Sequence, residues 1–213
     1  MANLPRGAVL AAGCLVAALV LASGAVMLNQ SQGGAVAGAK GNTSGASGSF
    51  GQARIGGPFH LTDQNGKAVD EGVLKGKWSA VFFGYTYCPD FCPTNLQLLA
   101  HAQDKLGAKA KDFQVVFVSI DPGRDKPETL KTYLSNQGFP KGAVGLTGTD
   151  AQVAEAAKAY RVYYARSGKG SDYLMDHSTV TYLMDPQGRF HGLIRPDATP
   201  DEAAAEISKA MGG

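Results

Sequence analysis

The chain has 213 residues, 44% of them hydrophobic and 18% charged, with a formal net charge of +2 and three cysteines. This composition excludes an intrinsically disordered chain and a polytopic membrane protein, and three cysteines are too few for a small fold stapled by disulfides. Residues 1–49 contain Arg6 and Lys40 and no acidic residue, so the remainder holds 18 basic and 18 acidic residues. A formally neutral remainder argues against nucleic-acid binding.

The first segment, residues 1–28, is predicted to be a membrane anchor. Residues 7–28 carry no charged side chain, and as a helix they would extend roughly 33 Å, enough to cross a hydrocarbon core of about 30 Å. Arg6 and the free amino terminus favour a cytoplasmic start with the rest of the chain exported. The alternative is a cleavable signal peptide with a small-residue cleavage site at residues 22–24. Cys14 falls inside this segment and is interpreted as a small apolar residue.

Residues 29–49 are rich in Gly, Ser and Ala and show no hydrophobic period. Such a composition buries too little apolar area to offset the entropy of the chain. We therefore predict a flexible linker that ties the anchor to a single folded head, residues 50–213.

The head alternates predicted strands and helices. It opens with a predicted β-hairpin in which residues 58–61 and 67–69 flank the turn at residues 63–66. The later elements, in chain order, are strand 78–84, helix 94–106, strand 113–120, a helix opened by Pro127 and closed by Gly138, strand 143–146, helix 150–159, strands 179–184 and 189–194 around a turn at 185–188, and helix 200–211. Alternation alone indicates an α/β fold. The terminal hairpin followed by a helix narrows it to a thioredoxin-like sandwich with an N-terminal β-hairpin extension.

Cys88 and Cys92 form a C-x-x-x-C pair between a buried strand and a helix. Side chains four apart on one helical turn lie on the same face, so the sulfurs are expected to converge. A helix N-terminus favours negative charge and therefore the thiolate, which is the form that binds metals or attacks disulfides. A structural disulfide is the alternative interpretation in an exported protein.

His177 lies between a Gly/Ser-rich loop and a predicted strand. In a thioredoxin-like fold, the loop that enters that strand approaches the helix terminus that carries the cysteines. Two thiolates and one imidazole suit Cu(I) by their softness and also hold Cu(II), whereas zinc usually requires a fourth ligand. Taken alone, a histidine beside an aspartate is more often a surface or core residue than a ligand.

Several segments together resemble the Sco/SenC copper chaperones of cytochrome c oxidase assembly, over about residues 55–207. They are listed in chain order: Gly57-Pro58-Phe59 with Leu61 and Asp63, residues 83–93 (FGYTYCPDFCP), residues 118–125 (VSIDPGRD), residues 160–164 (YRVYY) and Asp176-His177-Ser178. The resemblance implies a thioredoxin-like domain that binds one copper, as Cu(I) or Cu(II), through Cys88, Cys92 and His177. It also implies a single N-terminal membrane tether and a mobile loop over residues 166–175.

The family delivers copper to the dinuclear copper-A site of cytochrome c oxidase subunit II, or reduces the cysteines of that site. By resemblance, the expected partner is this subunit or another copper-accepting protein. The neutral charge of the head predicts no nucleic-acid partner. The expected location is the bacterial inner membrane with the head in the periplasm, or the mitochondrial inner membrane in a eukaryote.

Two aspartates follow the predicted strand 113–120. The resemblance suggests that Asp121 and Asp125 lie beside the metal site, where they tune it or contact partners. The local alternative is that Asp121 starts a turn and Asp125 caps the helix that Pro127 opens.

Further residues near the three candidate ligands have two interpretations each. Asp176 either orients His177 or is solvent-exposed. Tyr85 and Tyr87 either wall the site or pack half-buried, and Met175 is the one methionine to test as an additional soft ligand. The remaining residues considered are interpreted as structural or solvated: His60, His101, His191 and Met184.

Four functions are considered for the cysteine pair. A membrane-tethered copper chaperone needs all three donors and is not expected to be an enzyme. A thiol–disulfide oxidoreductase would use Cys88 and Cys92 as its redox pair in periplasmic redox or copper homeostasis, without His177. A binding module with a structural disulfide is the third possibility, and a peroxidase, which needs an activating cation beside the thiolate, is a fourth.

Overall fold

The computed structural model describes residues 55–212. The predicted anchor, residues 1–28, and the predicted linker, residues 29–49, lie outside the described residues. Within the described part of the chain, no helix combines the length and the apolar character that crossing a membrane requires.

The described residues form nine strands and four α-helices in a mixed α/β order. The elements are β1 (His60–Asp63), β2 (Ala68–Asp70), β3 (Trp78–Gly84), α1 (Phe91–Lys105), β4 (Phe113–Ser119), α2 (Pro127–Leu134), β5 (Val144–Thr147), α3 (Asp150–Tyr160), β6 (Tyr164–Ser167), β7 (Leu174–His177), β8 (Thr181–Met184), β9 (Phe190–Ile194) and α4 (Pro200–Ala210). Short 3₁₀ turns lie over Glu71–Leu74 and Gly107–Asp112.

Seven strands build one mixed sheet in the order β2-β1-β5-β4-β3-β8-β9. The central strands β3, β4 and β5 are parallel, while β8 runs antiparallel to β3 and forms a hairpin with β9. Strands β3 and β4 are buried along nearly their whole length, as expected of strands that are covered on both faces. The terminal hairpin with α4 confirms the thioredoxin-like fold, and the β1–β2 hairpin confirms the predicted extension.

Local sequence signals explain the helix ends. Thr149 and Thr199 are the N-caps of α3 and α4, and each forms a capping box. The threonine hydroxyl accepts from the backbone N–H of the residue three positions later, and the Gln or Glu side chain of that residue accepts from the threonine backbone N–H. The prediction that α2 continues to Gly138 is wrong, since the helix ends at Leu134. Helices α1 and α4 pack together, α2 contacts β5 and α3 contacts β1.

The predicted loop over residues 166–175 is shorter than expected. Its two ends belong to β6 and β7, which pair antiparallel and form a separate two-stranded sheet. His177 is the last residue of β7 and pairs with Tyr164. The geometry of this small hairpin therefore determines where the histidine lies.

Candidate metal centre

Cys88 lies in a turn between β3 and α1, and its N–H donates to the Tyr85 carbonyl at 3.3 Å. Helix α1 begins at Phe91, earlier than predicted, so Cys92 lies in the first helical turn and Cys88 lies outside the helix. The prediction that both cysteines share one helical turn is wrong. Their sulfurs still converge, because the Cys92 N–H donates to Cys88 Sγ at 3.4 Å, and both thiols are free.

The two cysteines differ sharply in acidity. The Cys92 thiol donates to Cys88, and backbone N–H groups of residues 90–92 add to this, which together lower the pKa of Cys88 to about 5. The same hydrogen bond, together with burial, raises the pKa of Cys92 well above its usual range. The pair therefore carries one proton at neutral pH, with the thiolate on Cys88 and the thiol on Cys92.

We expect iodoacetamide to alkylate Cys88 first in the reduced, metal-free full chain with Cys14→Ser. The thiolate is the reactive form, so the rate should be nearly constant above about pH 6 and fall about tenfold per unit below pH 5. Cys92, which is fully buried, should react only on unfolding. Mass spectrometry of the labelled peptides at several pH values measures both rates. A rate that still rose tenfold per unit between pH 6 and pH 8 would contradict the lowered pKa.

His177 presents one ring nitrogen to this pair. Its Nε2 lies 3.8 Å from Cys92 Sγ, and its Nδ1 lies 2.8 Å from the Ser178 carbonyl oxygen. A carbonyl oxygen only accepts, so Nδ1 must carry the proton, and in a neutral ring Nε2 then has a free lone pair. That lone pair faces the cysteines, as a metal-binding imidazole requires.

Three aromatic rings surround the imidazole. The ring centroids of Phe82, Tyr85 and Phe91 lie 6.3, 6.0 and 6.3 Å from that of His177. Tyr85 is 3% exposed, and burial raises the pKa of its phenol, so it presents a neutral ring to the histidine. Tyr85 therefore forms a wall of the site, which was one of the two interpretations of this residue from the sequence.

The structure brings the three predicted donors together without closing them into a cage. Within residues 55–212, the His, Cys, Asp and Glu side chains form no group of three or more already arranged to hold a metal ion. Cys92 and His177 face each other, whereas Cys88 Sγ is turned to the Cys92 N–H. The arrangement offers one thiolate, one thiol and one imidazole within a single partly buried site.

Comparison with known proteins assigns the chain to a family. The family model described as SCO1/SenC matches residues 47–212. The chain belongs to the SCO1/SenC family. Similar relatives include Protein SenC of Rhodobacter capsulatus, which is 41% identical over 203 residues, covering 95% of this chain and 89% of that protein. Protein SCO2, mitochondrial, of Saccharomyces cerevisiae is 46% identical over 145 residues, covering 66% of this chain and 48% of that protein.

Solved structures of the SCO1/SenC family share the fold of this chain. The structure of Bradyrhizobium japonicum ScoI with copper bound is 47% identical, with a TM-score of 0.67, covering 73% of this chain and 98% of that one. The match to the mitochondrial relatives is less complete, because this chain spans about half of their length.

Gly84, at the end of β3, leaves room for the Cys92 thiol in this SCO1/SenC protein. A Cβ at this position would lie 2.8 Å from Cys92 Sγ and 2.9 Å from the Phe117 ring. We expect Gly84→Ala to lower the free energy of unfolding by about 1–3 kcal/mol in urea titrations, because the crowded core must shift. Gly192→Ala is the matched control, since a Cβ there meets no atom within 4 Å. Equal effects of the two substitutions would contradict this role.

Asp125 is fully buried and holds the segment before Cys88. Its carboxylate accepts from the Thr86 N–H at 3.0 Å, from the Thr86 hydroxyl at 2.5 Å and from the Ser119 hydroxyl at 2.6 Å. The predicted cap of α2 is wrong, since Lys126 occupies the N-cap without a side-chain bond. Asp125 instead joins the end of β4 to the cysteine segment.

Asp121 starts the turn after β4, because its carbonyl accepts from the Arg124 and Asp125 N–H groups. This confirms the local interpretation of Asp121 from the sequence. Its side chain is 4% exposed and accepts from the Tyr173 hydroxyl at 2.6 Å and from Arg124 Nε at 2.5 Å. Sequence reasoning missed Arg124 and Tyr173. The one signal for Arg124 was its place between two aspartates, and Tyr173 carried none.

The remaining candidates lie away from the donors or at the edge of the site. Asp176 is exposed, so the orienting bond of His177 goes to Ser178 instead. Tyr87 is 62% exposed, and Met184 is fully buried in the core. Met175 is half-buried and packs against the core. The three other histidines are exposed, as expected: His60, His101 and His191.

Proposed function

We propose that this protein is a copper chaperone that binds one copper ion through Cys88, Cys92 and His177. The observation that carries the proposal is the 3.8 Å approach of His177 Nε2 to Cys92 Sγ, with the lone pair of that nitrogen directed at the cysteine pair. Two sulfurs and one imidazole nitrogen form a soft donor set that suits Cu(I) and also holds Cu(II).

The spacing of the donors fits a three-coordinate ion. Sulfur and nitrogen ligands at metal distances of about 2.3 and 2.0 Å lie roughly 3.7 Å apart in a trigonal arrangement, close to the observed separation of Cys92 Sγ and His177 Nε2. Cys92 and His177 therefore need little movement. Cys88 has to leave its hydrogen bond to the Cys92 N–H and turn toward the same centre. Its position in a turn outside α1 permits this, and its lowered pKa means that it is already a thiolate at neutral pH.

Exposed apolar side chains lie near the donors along the chain. Among the described residues, the large exposed apolar side chains include Tyr87, Tyr163 and Leu174. Tyr87 precedes Cys88, Leu174 begins the strand that ends at His177, and the Tyr163 N–H donates to the Ser178 hydroxyl. We propose that these side chains, which are close to the donors along the chain, contribute to the surface on which a copper-accepting protein docks.

The family and the sequence support a proposed client and location. The resemblance to the Sco/SenC chaperones indicates cytochrome c oxidase subunit II as the copper acceptor, with delivery to its dinuclear copper-A site. The uncharged residues 7–28 support a single-pass anchor in the bacterial inner membrane, or the mitochondrial inner membrane in a eukaryote, with the head in the exported compartment.

A second function, thiol–disulfide exchange, is favoured by the unequal acidity of the cysteines. The Cys88 thiolate would attack a partner disulfide, forming a mixed disulfide and releasing one partner thiolate. Cys92, once deprotonated, would then attack Cys88, releasing the second partner thiol and leaving a Cys88–Cys92 disulfide. The partner gains two electrons and the pair loses two. The oxidised pair no longer offers thiolates to copper, so the two functions belong to different states of the protein.

Copper transfer to the copper-A domain of oxidase subunit II tests the proposal. We expect the Cu(I)-loaded full chain, mixed anaerobically in at least twofold excess with the reduced, copper-free domain, to transfer its copper to the domain. Removal of one electron per domain with ferricyanide should then produce the visible absorption of the mixed-valence copper-A centre. In a second arm, the metal-free reduced chain is mixed with the domain whose cysteines are oxidised, and released thiols are counted. Copper transfer in the first arm supports a chaperone. The oxidoreductase would replace the chaperone as the proposed function under two conditions. Copper is not transferred in the first arm, and thiols are released in the second arm at a rate that His177→Ala leaves unchanged.

A further inference from the structure

The hairpin that carries His177 contacts the core through the side chains of Tyr164 and Met175, and its other contacts lie at the two ends of β7. Strands β6 and β7 pair only with each other and not with the seven-stranded sheet. Near His177, the Ser178 N–H donates to the Tyr163 carbonyl at 2.9 Å, a contact with the segment that leads into β6. At the other end of β7, the residue before the strand, Tyr173, contacts the turn after β4. The position of His177 therefore depends on the contacts at both ends of β7 as well as on the packing of Met175.

Arg124 makes the contacts at that far end. Its Nη1 donates to the Tyr173 carbonyl at 3.0 Å, and its guanidinium carbon lies 3.6 Å from the centroid of the Tyr173 ring. The same side chain therefore binds both the backbone and the ring of the residue that leads into β7. A guanidinium stacked on an aromatic ring keeps a fixed orientation, because its planar fork and the ring are both rigid.

Asp121 contacts both Arg124 and Tyr173. Its carboxylate accepts from Arg124 Nε and from the Tyr173 hydroxyl, so Arg124, Tyr173 and Asp121 contact one another pairwise. Asp121 is 4% exposed, and the charged hydrogen bond is therefore only weakly screened by water. This closed triangle, which we call the Arg124 latch, ties the hairpin to the turn after β4.

The same turn also holds the cysteine side of the site. The Arg124 guanidinium carbon lies 4.6 Å from the ring centroid of Tyr87, the residue before Cys88. Asp125, the next residue along the turn, binds the backbone and hydroxyl of Thr86. One five-residue turn, residues 121–125, thus contacts the segment that precedes Cys88 and the residue that leads into the His177 strand.

We propose that Arg124 is a positioning residue, which keeps His177 opposite Cys92 by latching Tyr173 to Asp121. The inference rests on the proposed copper function, since it assigns Arg124 to the same site. Arg166 provides a matched comparison, because its guanidinium carbon also lies 3.6 Å from the Tyr173 ring centroid. Its other contact is the Gly170 carbonyl of its own hairpin, so Arg166 does not tie the hairpin to the turn.

The first test needs no metal. Hydrogen exchange of the reduced, copper-free full chain in detergent should show faster exchange of the amides of residues 174–178 in Arg124→Ala than in the natural chain. We expect an increase of about tenfold, because the hairpin opens locally once its far end is released. Arg166→Ala should raise the same rates less than threefold, and amides of β3 and β4 should keep their rates in both variants.

The second test measures Cu(II) affinity by competition with a chelator. Loss of a group that orients a metal ligand typically weakens binding about 10- to 100-fold, and we expect Arg124→Ala to fall in that range. Cu(I) affinity should change less than about threefold, since two thiolates satisfy that soft ion. In a His177→Ala background, Arg124→Ala should have almost no further effect on Cu(II), because its influence acts through the histidine.

The outcomes separate this inference from the proposed function. Natural exchange rates and natural Cu(II) affinity in Arg124→Ala would overturn the latch and leave the copper function intact. Failure of the natural chain to bind copper would overturn the copper function, while exchange at residues 174–178 would still decide whether the latch exists. If Arg124→Ala does not fold, Arg124→Lys and Tyr173→Phe replace it. The first removes the planar fork and the second removes the bond to Asp121, and unchanged exchange in both would overturn the latch.

Discussion

Replacing Cys92 with serine should abolish binding of one Cu(I) per chain, whereas replacing Cys14 with serine should leave it unchanged. A serine hydroxyl is a hard, protonated oxygen and does not replace a thiolate as a ligand of a soft ion. Cys92 is fully buried between Gly84 and the imidazole, so its replacement removes one of the two sulfurs of the proposed donor set. Cys14 lies in the predicted membrane segment, away from the proposed donors along the chain.

Metal analysis of the reduced full chain after anaerobic loading and chelator washing measures the stoichiometry. The expected values are about one copper per chain for the natural protein and Cys14→Ser, and near zero for Cys92→Ser, because a lone thiolate with an imidazole holds Cu(I) weakly against a competing chelator. Alkylation of Cys88 below pH 7 in Cys92→Ser shows that the turn remains formed, because a serine hydroxyl still donates to Cys88. Retention of one copper by Cys92→Ser would exclude the proposed ligand set.

The central fold was predictable because its strands are continuous apolar runs. Residues 78–84 and 113–119 are buried on both faces of the sheet, and burial on both faces leaves a plain hydrophobic signature. Strands β6 and β7 left no such signature, because they pair only with each other and their side chains are exposed or half-buried. Their position depends on tertiary contacts such as those of Tyr173 with Asp121 and Arg124, which no local pattern records.

The candidate site was predictable in its residues but not in its geometry. The C-x-x-x-C spacing suggested a shared helical turn, yet α1 begins at Phe91 and leaves Cys88 outside the helix. That difference produces the unequal acidity, since Cys88 receives hydrogen bonds from the first turn while Cys92 is buried within it. The hydrogen bonds of Asp125 to the cysteine segment were also not predicted, because they depend on tertiary structure. Its partner Thr86 lies 39 residues away in sequence, and only the parallel pairing of β3 with β4 brings the two together.

Replacing His177 with alanine should weaken Cu(II) binding by roughly 100-fold or more, because the loss of a direct ligand exceeds the effect of losing an orienting group. Cu(II) prefers nitrogen donors beside sulfur, and the described structure places one imidazole nitrogen, Nε2 of His177, against the Cys92 sulfur. Cu(I) affinity should fall far less, since Cys88 and Cys92 remain. The visible thiolate-to-Cu(II) charge-transfer absorption of the loaded full chain, titrated against a chelator, measures the change.

The control for His177→Ala is His191→Ala, which removes an exposed imidazole packed edge-on against Trp78, outside the site. The Cu(II) affinity of His191→Ala should equal that of the natural chain. That result would show that removing a histidine outside the site does not weaken Cu(II) binding. The difference between the losses of Cu(II) and Cu(I) affinity in His177→Ala decides between two models of the site. A binding site made of the cysteine pair alone predicts equal losses, or none, for both copper states. A site completed by His177 predicts a large loss for Cu(II) alone, and full Cu(II) affinity in His177→Ala would remove the histidine from the ligand set.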